Sequence, residues 1–448
     1  MARLFGTDGI RGVAGATLDC GLVFELGRAG AHVLTQGNRR PRILVGRDTR
    51  ISGTMLQNAL CAGICSMGGE VYTCGIMPTP AVAYLTKTEG MDAGVMITAS
   101  HNPFEDNGIK FFNTDGFKLH DTIEDEIEGW VKKQCQGIPP ATGAGIGSVR
   151  RLQRAHDDYF EFLSSRVTED LSRLRVVLDC ANGAASTLAP KLFADLGIDT
   201  IPLFSQPNGR NVNDRCGSTH PEILTRVVKD MGADIGLAFD GDADRMLAVD
   251  AEGGLVCGDR ILAICAQEMK HQGKLRNNTL VATVMSNLGL TLACKRMGIH
   301  LEKTAVGDRY VLERMLENRH SLGGEQSGHV IFLDENTTGD GLLTGLHLLQ
   351  VMARSKASLR ELCGVMEVFP QVLINVRVGH GKKDAWQDDA EITAAVETTE
   401  ARYSGKGRVL VRSSGTEDVV RVMIEGQEKQ AIETDAAALA ALVEKKLG

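Results

Sequence analysis

The sequence predicts an α/β protein in which three repeated α/β domains with mixed sheets precede a smaller C-terminal α+β domain, all around a central cleft. Short β-branched runs alternate with longer helical patterns, and this alternation recurs three times. The pattern changes near Phe369 and Pro370, where a last, different domain begins. The length of 448 residues fits such a set, because one domain takes roughly 150 residues.

The three repeated units have the same order of strand, helix and strand. Their predicted elements are residues 41–46, 54–67 and 70–74; residues 175–179, a helix that runs to about 196, and 199–204; and residues 279–283, 288–297 and 300–304. Such units imply parallel strands with right-handed crossovers. A glycine follows each helix, at Gly68, Gly197 and Gly298, where a left-handed helix cap carries no steric penalty.

A stretch rich in Gly and Pro at residues 136–148 marks the first boundary. We predict four domains, at residues 1–148, 149–255, 256–369 and 370–448. The last should contain strands at 371–378, 408–411 and 419–425 and helices at 383–403 and 431–446, which together make a small α+β domain.

A polar cluster follows each repeated unit, directly after a short apolar strand. The clusters are T-A-S-H-N-P around Ser100, D-G-D-A-D-R from Asp240 to Arg245 and G-E-Q-S-G-H from Gly324 to His329; a fourth, R-S-S-G-T-E, occupies a turn of the last domain. Because ligands of open α/β sheets bind beyond the carboxyl ends of strands, we expect the first three clusters to face a shared cleft.

The strongest chemical signal is the set of three aspartates at Asp240, Asp242 and Asp244. In an extended chain this spacing places all three carboxylates on one side, and a bound cation would relieve their repulsion. Carboxylate oxygens suit hard cations such as Mg²⁺. An EF-hand is excluded, because Arg245 and Ala251 stand where its glycine and bidentate glutamate should be. A solvated acidic turn is the alternative interpretation.

The other clusters are less specific on their own. Ser100 is a candidate nucleophile, although it also suits a capped turn, and His101 is interpreted as a turn residue. The segment Arg412-Ser413-Ser414-Gly415-Thr416-Glu417, with Arg421 on the next strand, suits an anion cradle or an ordinary hairpin turn. Glu325, Ser327 and His329 suit a polyol, whose hydroxyls both donate and accept. The sequence contains neither a G-x-S-x-G nor a Walker A motif.

The composition of the chain limits the classes of binding partner and the cellular location that we expect. The formal net charge of -8 and the aromatic content of 4% argue against bulk binding to nucleic acid or to anionic membranes. The sequence contains no long apolar run and no secretory leader pattern, so neither a membrane span nor export is expected. The 11 scattered cysteines suggest free thiols in a reducing cytoplasm.

Taken together, the four motifs resemble those of the α-D-phosphohexomutases, in family order and over the whole chain. The resemblance implies that Ser100 is a phosphoserine, that Asp240, Asp242, Asp244 and Ser100 bind Mg²⁺, and that a 6-phosphosugar becomes a 1-phosphosugar through a bound 1,6-bisphosphate. Arg11, Lys110 and His329 match positions near the transferring group, with Lys110 or His329 as general acid/base. The implied substrate-binding residues are Arg245, Asp308, Arg309, Glu325, Ser327, Arg412, Ser413, Ser414, Gly415, Thr416 and Arg421.

Within that family, the sequence is similar to the glucosamine-specific branch, which feeds UDP-N-acetylglucosamine and cell-wall precursor synthesis. The segment F-G-T-D-G-I-R-G near the N-terminus, Gln326, and Val306-Gly-Asp-Arg309 in place of a T-G-H type sequence carry this similarity. We hypothesise that Asp308 meets the 2-ammonium of an amino sugar. The alternatives are a glucose and mannose mutase, a sugar-phosphate binding protein on a mutase scaffold and a metal-dependent phosphatase. The expected partner is a small sugar phosphate, and a homodimer is compatible with the resemblance.

Overall fold

The structure is a computed structural model that describes residues 3–6, 8–35, 40–414 and 418–448. The chain divides into two compact units. The large unit comprises Met1–Met285 and Ile299–Val365, and the small unit comprises Ser286–Gly298 and Met366–Gly448. The small unit therefore takes one segment from the middle of the third repeat, which the sequence assigned to a single domain.

The first sheet of the large unit has six strands in the order β1-β5-β4-β2-β3-β6. The strands are β1 (Ile10–Val13), β2 (Arg42–Arg47), β3 (Glu70–Ile76), β4 (Ala93–Ile97), β5 (Asp106–Asn113) and β6 (Val149–Arg151). The helices are α1 (Cys20–Thr35), α2 (Gly53–Ser66), α3 (Thr79–Thr88) and α4 (Asp121–Lys132), with a 3₁₀ turn at Gly143–Gly145. Strand β2 pairs in parallel with β3 and β4, and β5 pairs antiparallel to β4.

The second sheet has five strands in the order β11-β10-β9-β7-β8. The strands are β7 (Arg175–Asp179), β8 (Asp199–Leu203), β9 (Ile235–Phe239), β10 (Met246–Asp250) and β11 (Leu255–Val256). The helices are α5 (Ala155–Ser165), α6 (Ala185–Asp195) and α7 (Glu222–Asp230). Strand β7 pairs in parallel with β8 and β9, and β10 pairs antiparallel to β9.

The third sheet has four strands in the order β13-β12-β14-β15. The strands are β12 (Thr279–Thr283), β13 (His300–Thr304), β14 (Leu322–Gly324) and β15 (Val330–Phe332). The helices are α8 (Gly258–His271), α9 (Leu288–Met297, in the small unit), α10 (Asp308–Asn318), α11 (Gly341–Ser355) and α12 (Leu359–Leu362), with 3₁₀ turns at Arg276–Asn278 and Cys363–Val365.

The three sheets repeat one topology, which confirms the predicted repetition. In each repeated unit (β2–β5, β7–β10 and β12–β15) the first strand lies between the second and the third and pairs with both in parallel, and the fourth returns antiparallel to the third. The three polar clusters occupy one topological place, the connection from the third strand to the fourth. The joint glycines adopt the predicted left-handed conformation, with φ of 84° at Gly68, 79° at Gly197 and 63° at Gly298.

The strands that precede the Ser100 loop and the aspartate turn, β4 and β9, are fully buried and therefore position these segments. Every residue of β4 and of β9 is buried, as the apolar runs in the sequence predict.

All eleven cysteines are free, as expected. Among the described residues, no helix has both the length and the apolar character needed to cross a bilayer.

The small unit is built on a three-stranded antiparallel sheet in the order β16-β18-β17. Its elements are β16 (Gln371–Arg377), a 3₁₀ turn at Ala385–Gln387, α13 (Ala390–Tyr403), β17 (Gly407–Ser413), β18 (Val419–Gly426) and α14 (Lys429–Leu447). The helix predicted from residue 383 begins only at Ala390, because Asp389 caps it by accepting from the amides of Glu391 and Ile392.

Helix α9 joins this unit through Asn287, the residue before its first turn. The Asn287 side chain donates to the Phe369 carbonyl at 2.9 Å and to Glu425 at 3.2 Å, and it accepts from the Phe369 amide at 3.0 Å. The same side chain accepts from the Gly289 amide at 2.9 Å and so caps the helix. One polar residue therefore both begins the helix and attaches it to the sheet.

Helices α1 and α2 pack at glycines, which gives a stability prediction. A Cβ on Gly63 would lie 2.1 Å from the Phe24 carbonyl oxygen, so Gly63→Ala must push the helices apart. We expect it to destabilise the protein by about 2 kcal/mol or more. Gly129→Ala in α4 is the control, because a Cβ there meets nothing within 4 Å and should stabilise by up to about 1 kcal/mol. The order of the thermal unfolding midpoints checks this, and equal midpoints would contradict it.

Candidate active site

Three carboxylates lie together at the end of β9. Asp240, Asp242 and Asp244 are 1%, 0% and 3% exposed, and one oxygen from each lies within 4.8 Å of the others. The sequence led us to expect an extended segment, but residues 240–244 form a turn in which Ala243 has a φ of 55°. The carboxylates converge through this turn rather than through strand-like alternation.

The charge of this cluster is only partly compensated. Burial, with the charges of Asp244 and Asp242 added to it, raises the pKa of Asp240 well above its usual range. Within the described part of the chain, the buried Oδ1 atoms of Asp242 and Asp244 have no hydrogen-bond partner. Unpartnered carboxylate oxygens at this spacing fit a hard divalent cation such as Mg²⁺, for which Asp240, Asp242 and Asp244 supply ligands.

Ser100 lies against the cluster from the loop after β4. Its hydroxyl donates to Oδ2 of Asp240 at 2.7 Å, and the residue is 1% exposed. Its φ is 52°, in the left-handed region that is unfavourable for a residue with a Cβ. A serine held in this conformation indicates that the surrounding structure fixes the loop.

The residue that fixes the loop is Arg50, which is 1% exposed. Its guanidinium donates to the carbonyls of Ser100 at 2.9 Å, Asn102 at 2.8 Å and Asp106 at 3.1 Å, and also to that of Pro103. Five donors in a rigid fork suit a loop whose carbonyls turn inward.

Asp48 balances the charge of Arg50. Its Oδ2 accepts from Nε of Arg50 at 2.9 Å and from the hydroxyl of Thr98 at 2.7 Å. That threonine in turn accepts from the Ser100 amide at 2.9 Å. From the connection between β8 and α7, next to the second sheet, Asn213 donates to the Ser100 carbonyl at 2.9 Å. The position of Ser100 is therefore determined by both sheets.

His101 lies closer to the Ser100 hydroxyl and to Arg245 than its interpretation as a turn residue suggested. Its Nδ1 lies 3.3 Å from the Ser100 hydroxyl and 3.4 Å from a guanidinium nitrogen of Arg245. Burial, with the charges of Arg245 and Arg11, lowers the pKa of His101 to about 4. The ring is therefore neutral at pH 7 and available as a hydrogen-bond acceptor.

Lys110, on β5, is the buried cation beside the carboxylates. Its Nζ lies 3.0 Å from Asp242, 3.6 Å from Asp244 and 2.9 Å from Asp8. Burial alone would lower the pKa of Lys110, but these three carboxylates outweigh it and raise the pKa. Lys110 is therefore a fixed ammonium. Arg11, on β1, also pairs with Asp8.

His329 is a second basic side chain beside the carboxylates, and it lies between Asp244 and Asp308. Its Nδ1 lies 3.6 Å from Asp244 and its Nε2 lies 3.6 Å from Asp308, at the start of α10. Burial alone would lower the pKa of His329, but Asp244 and Asp308 raise it. Lys118 pairs with both Asp308 and Asp8. Together with Lys110, these groups form a closed ring of alternating basic and acidic side chains in the large unit.

The remaining predicted sugar residues differ in where they lie. Glu325 accepts from the Gly307 amide at 3.2 Å, and burial raises the pKa of its carboxyl. The buried hydroxyl of Ser327 has no hydrogen-bond partner among the described residues. Arg309 pairs instead with Asp121 on α4 and, at 2.9 Å, with Glu313 on its own helix.

The predicted anion cradle belongs to the small unit. Arg412 on β17 and Arg421 on β18 are directly opposite each other across the ladder. Burial and the neighbouring charge of Arg421 lower the pKa of Arg412. Two cations in such a pair repel, and a bound anion would relieve the repulsion. Gly415 and Thr416 lie outside the described residues.

Two serines complete the described part of the cradle. The Ser413 hydroxyl donates to the Lys383 carbonyl at 2.9 Å and accepts from the Trp386 indole at 3.3 Å. The ammonium of Lys383 donates to the Ser414 carbonyl at 2.9 Å. Lys383 is a further cation beside the cradle that the sequence did not single out.

Asp8, Asp48, Arg50 and Lys118 were missed by the sequence reasoning. A signal existed for two of them, because Arg47-Asp-Thr-Arg50 directly follows a predicted strand, as the chosen clusters do. Lys118 carries no comparable signal, since its two partners come from distant segments of the chain.

We expect Arg50→Ala to destabilise the protein by about 3 kcal/mol or more, because it leaves the buried Asp48 carboxylate without its counter-ion. Arg215→Ala is the control, since that side chain is 88% exposed and should change stability by at most about 0.5 kcal/mol. Thermal unfolding of both variants measures the difference. Equal midpoints would show that the loop does not depend on Arg50.

A second prediction concerns the cation. Mg²⁺ should raise the unfolding midpoint of the wild type, since a ligand of the folded state stabilises it. Asp240→Asn should remove that rise and, without metal, raise the midpoint above that of the wild type, because it relieves carboxylate repulsion. Asp195→Asn, on an exposed residue, should keep the response to Mg²⁺. A full Mg²⁺ response in Asp240→Asn would contradict the assignment.

Comparison with known proteins gives four matching family models, in chain order. The phosphoglucomutase/phosphomannomutase alpha/beta/alpha domains I, II and III match residues 2–137, 157–254 and 257–369, and the C-terminal domain matches residues 373–442. The chain is 55% identical over 447 residues to the phosphoglucosamine mutase of Thermoanaerobacter pseudethanolicus, with 100% of both chains covered.

Solved structures agree in fold. A phosphoglucomutase/phosphomannomutase family protein from Burkholderia thailandensis has a TM-score of 0.84 at 28% identity, with 99% of this chain and 98% of that chain covered. The N-acetylphosphoglucosamine mutase of Aspergillus fumigatus, in complex with GlcNAc-6P and magnesium, has a TM-score of 0.66 at 18% identity, with 99% and 95% covered. With matches over all four domains and a relative more than half identical along its full length, this chain belongs to the phosphoglucomutase/phosphomannomutase family of α-D-phosphohexomutases.

Proposed function

We propose that this chain is a phosphoglucosamine mutase, an isomerase that interconverts glucosamine 6-phosphate and glucosamine 1-phosphate. The observation that carries the proposal is the hydroxyl of Ser100, held 2.7 Å from Asp240 at the edge of a buried carboxylate cluster. A hydroxyl fixed at a site for a divalent cation suits phosphoryl transfer, which depends on positioning and charge stabilisation. The full-length relative with this activity supports the same conclusion.

In this mechanism, Ser100 carries the phosphoryl group on Oγ. The free hydroxyl of the sugar phosphate attacks phosphorus, the bond from phosphorus to Oγ breaks, and the sugar becomes a 1,6-bisphosphate. The bisphosphate turns around, its other phosphoryl group returns to Oγ, and the isomeric monophosphate leaves. The serine is therefore regenerated as phosphoserine in each cycle.

Charge is stabilised by groups already in place. Mg²⁺, held by Asp240, Asp242, Asp244 and the Ser100 phosphate, would neutralise negative charge on the transferring group. Arg245 and Lys110 supply positive charge beside the carboxylates, with Nε of Arg245 3.8 Å from Asp244 and Nζ of Lys110 3.0 Å from Asp242. Because these cations are bound to carboxylates before substrate arrives, little reorganisation is needed during transfer.

Two side chains are candidates to carry the proton of the attacking sugar hydroxyl. Arg11 is proposed to orient the transferring phosphoryl group. Lys110 is held as an ammonium, which suits donation to a leaving oxygen. His329 lies between Asp244 and Asp308, which raise its pKa, and histidine is the side chain whose ordinary pKa lies nearest to neutral pH. We propose His329 or Lys110 as general acid/base, with His101 as a neutral acceptor beside Ser100.

The sugar and its second phosphate would be bound by the remaining predicted residues. Glu325, Ser327, Asp308 and Arg309 are proposed to bind the sugar, and the cradle of Arg412, Ser413, Ser414, Gly415, Thr416 and Arg421 the phosphate that does not react. The opposed arginines of β17 and β18 support this role. A cradle that recognises only a phosphate accepts either end of the bisphosphate.

The wider setting is part of the same proposal. The boundaries 1–148, 149–255, 256–369 and 370–448, a cytoplasmic location and a homodimer stay predictions, as does the lack of nucleic-acid and membrane partners. Free thiols throughout the chain support the reducing compartment.

A coupled assay with Mg²⁺ and a trace of bisphosphate tests the function. We expect kcat/KM for glucosamine 6-phosphate to exceed that for glucose or mannose 6-phosphate by about tenfold or more. Comparable values for all three sugars would instead identify a hexose mutase of broader specificity. Release of inorganic phosphate without isomerisation would identify a phosphatase, and binding without turnover a sugar-phosphate binding protein.

The phosphoserine mechanism predicts that Ser100→Ala lowers kcat by about a thousandfold or more, because no other group can hold the phosphoryl between the two transfers. Ser172→Ala, at an exposed serine, is the control and should retain activity. Intact-mass spectrometry should find one phosphoryl group on the wild type and none on Ser100→Ala. Full activity in Ser100→Ala would rule the mechanism out.

A further inference from the structure

Lys118 is a largely buried cation that the proposed mechanism does not use. It follows the turn after β5, and its ammonium contacts Oδ1 of Asp8 and Oδ2 of Asp308. The side chains of Lys118 and Asp308 are only 12% and 15% exposed, so this pair is poorly screened by water. The carboxylate proposed to meet the substrate ammonium therefore already has an ammonium partner.

The second partner of Lys118 makes an exchange of cations feasible. A buried ammonium that loses its only carboxylate is strongly destabilised. Lys118 is not in that position, because Asp8 continues to hold it when Asp308 is taken by another cation. The side chain is thus paired in both states.

An amino sugar and a neutral sugar differ in whether they can replace Lys118 at Asp308. The ammonium of glucosamine can replace the ammonium of Lys118 at Asp308, charge for charge. The 2-hydroxyl of glucose or mannose has no charge and cannot compensate Asp308 in this way. Binding of glucosamine phosphate therefore includes the cost of breaking one ion pair, and binding of glucose phosphate does not.

We propose that Lys118 is a specificity-determining residue that competes with the substrate ammonium for Asp308. The inference rests on the proposed function and deepens it. Competition from Lys118 weakens the binding of the 2-ammonium to Asp308. This contact must be broken and formed again while the bisphosphate turns around. Lys118 thus limits selectivity for the amino sugar and keeps the contact reversible.

The test compares dissociation constants of glucosamine 6-phosphate and glucose 6-phosphate by calorimetry, with Mg²⁺ and the full-length chain in a Ser100→Ala background that prevents turnover. Lys118→Met should increase the preference for glucosamine 6-phosphate by about fivefold to tenfold. Lys118→Arg keeps the charge and should stay within about twofold of the parent. Asp308→Asn should reduce the preference by about tenfold.

Asp8→Asn gives an independent arm, because it leaves Lys118 with Asp308 alone and should reduce the preference. Damage to the site in general changes both dissociation constants and leaves their ratio unaltered. A ratio unchanged in Lys118→Met, or lowered by it, overturns the inference. If the wild type isomerises none of the three sugar phosphates, the proposed function fails as well, so the two failures are distinct.

Discussion

Three buried carboxylates on one turn are the constraint on which the large unit depends. Their repulsion is offset from several elements: by Lys110 on β5 at 3.0 Å, by the hydroxyl of Ser100 at 2.7 Å and by the hydroxyl of Thr79, at the start of α3, at 2.7 Å. Each of these partners lies on a strand of the first sheet or on an element connected to it, whereas the carboxylates follow β9 of the second sheet. The charge of one turn therefore connects elements of the two sheets and fixes the position of the Ser100 hydroxyl.

The small unit repeats this principle with the opposite sign. Arg412 and Arg421 face each other across a ladder, where like charges are unfavourable. A chain with a net charge of -8 thus contains a local concentration of positive charge, as an enzyme for anionic substrates requires. In both units like charges lie close together in the folded chain, and a bound ion of the opposite charge would relieve their repulsion and stabilise the fold.

The sequence predicted the first two strands of each repeated unit and the buried strands that precede the polar clusters, because local runs of β-branched or apolar residues mark them. It also found Ser100 and the aspartates, since they directly follow such strands. The nearness of Ser100 to Asp240, 140 residues away, was expected only from the resemblance of the motifs, and the sequence did not predict the contact of Lys118 with Asp308, 190 residues away. Nor did it foresee the turn at Ala243 or the support of the Ser100 loop by Arg50, because both depend on tertiary packing.

Helix α9 limits how this protein can be divided or recombined. Asn287 is attached to Phe369 and to Glu425, whose side chain is fully buried, so a fragment cut near residue 366 would lose a helix that is attached to its own sheet. Exchange of the C-terminal segment between relatives would combine a helix from one parent with a sheet from another. Residues 286–298 and 366–448 should therefore be inherited together, as one unit encoded in two separate stretches of the gene.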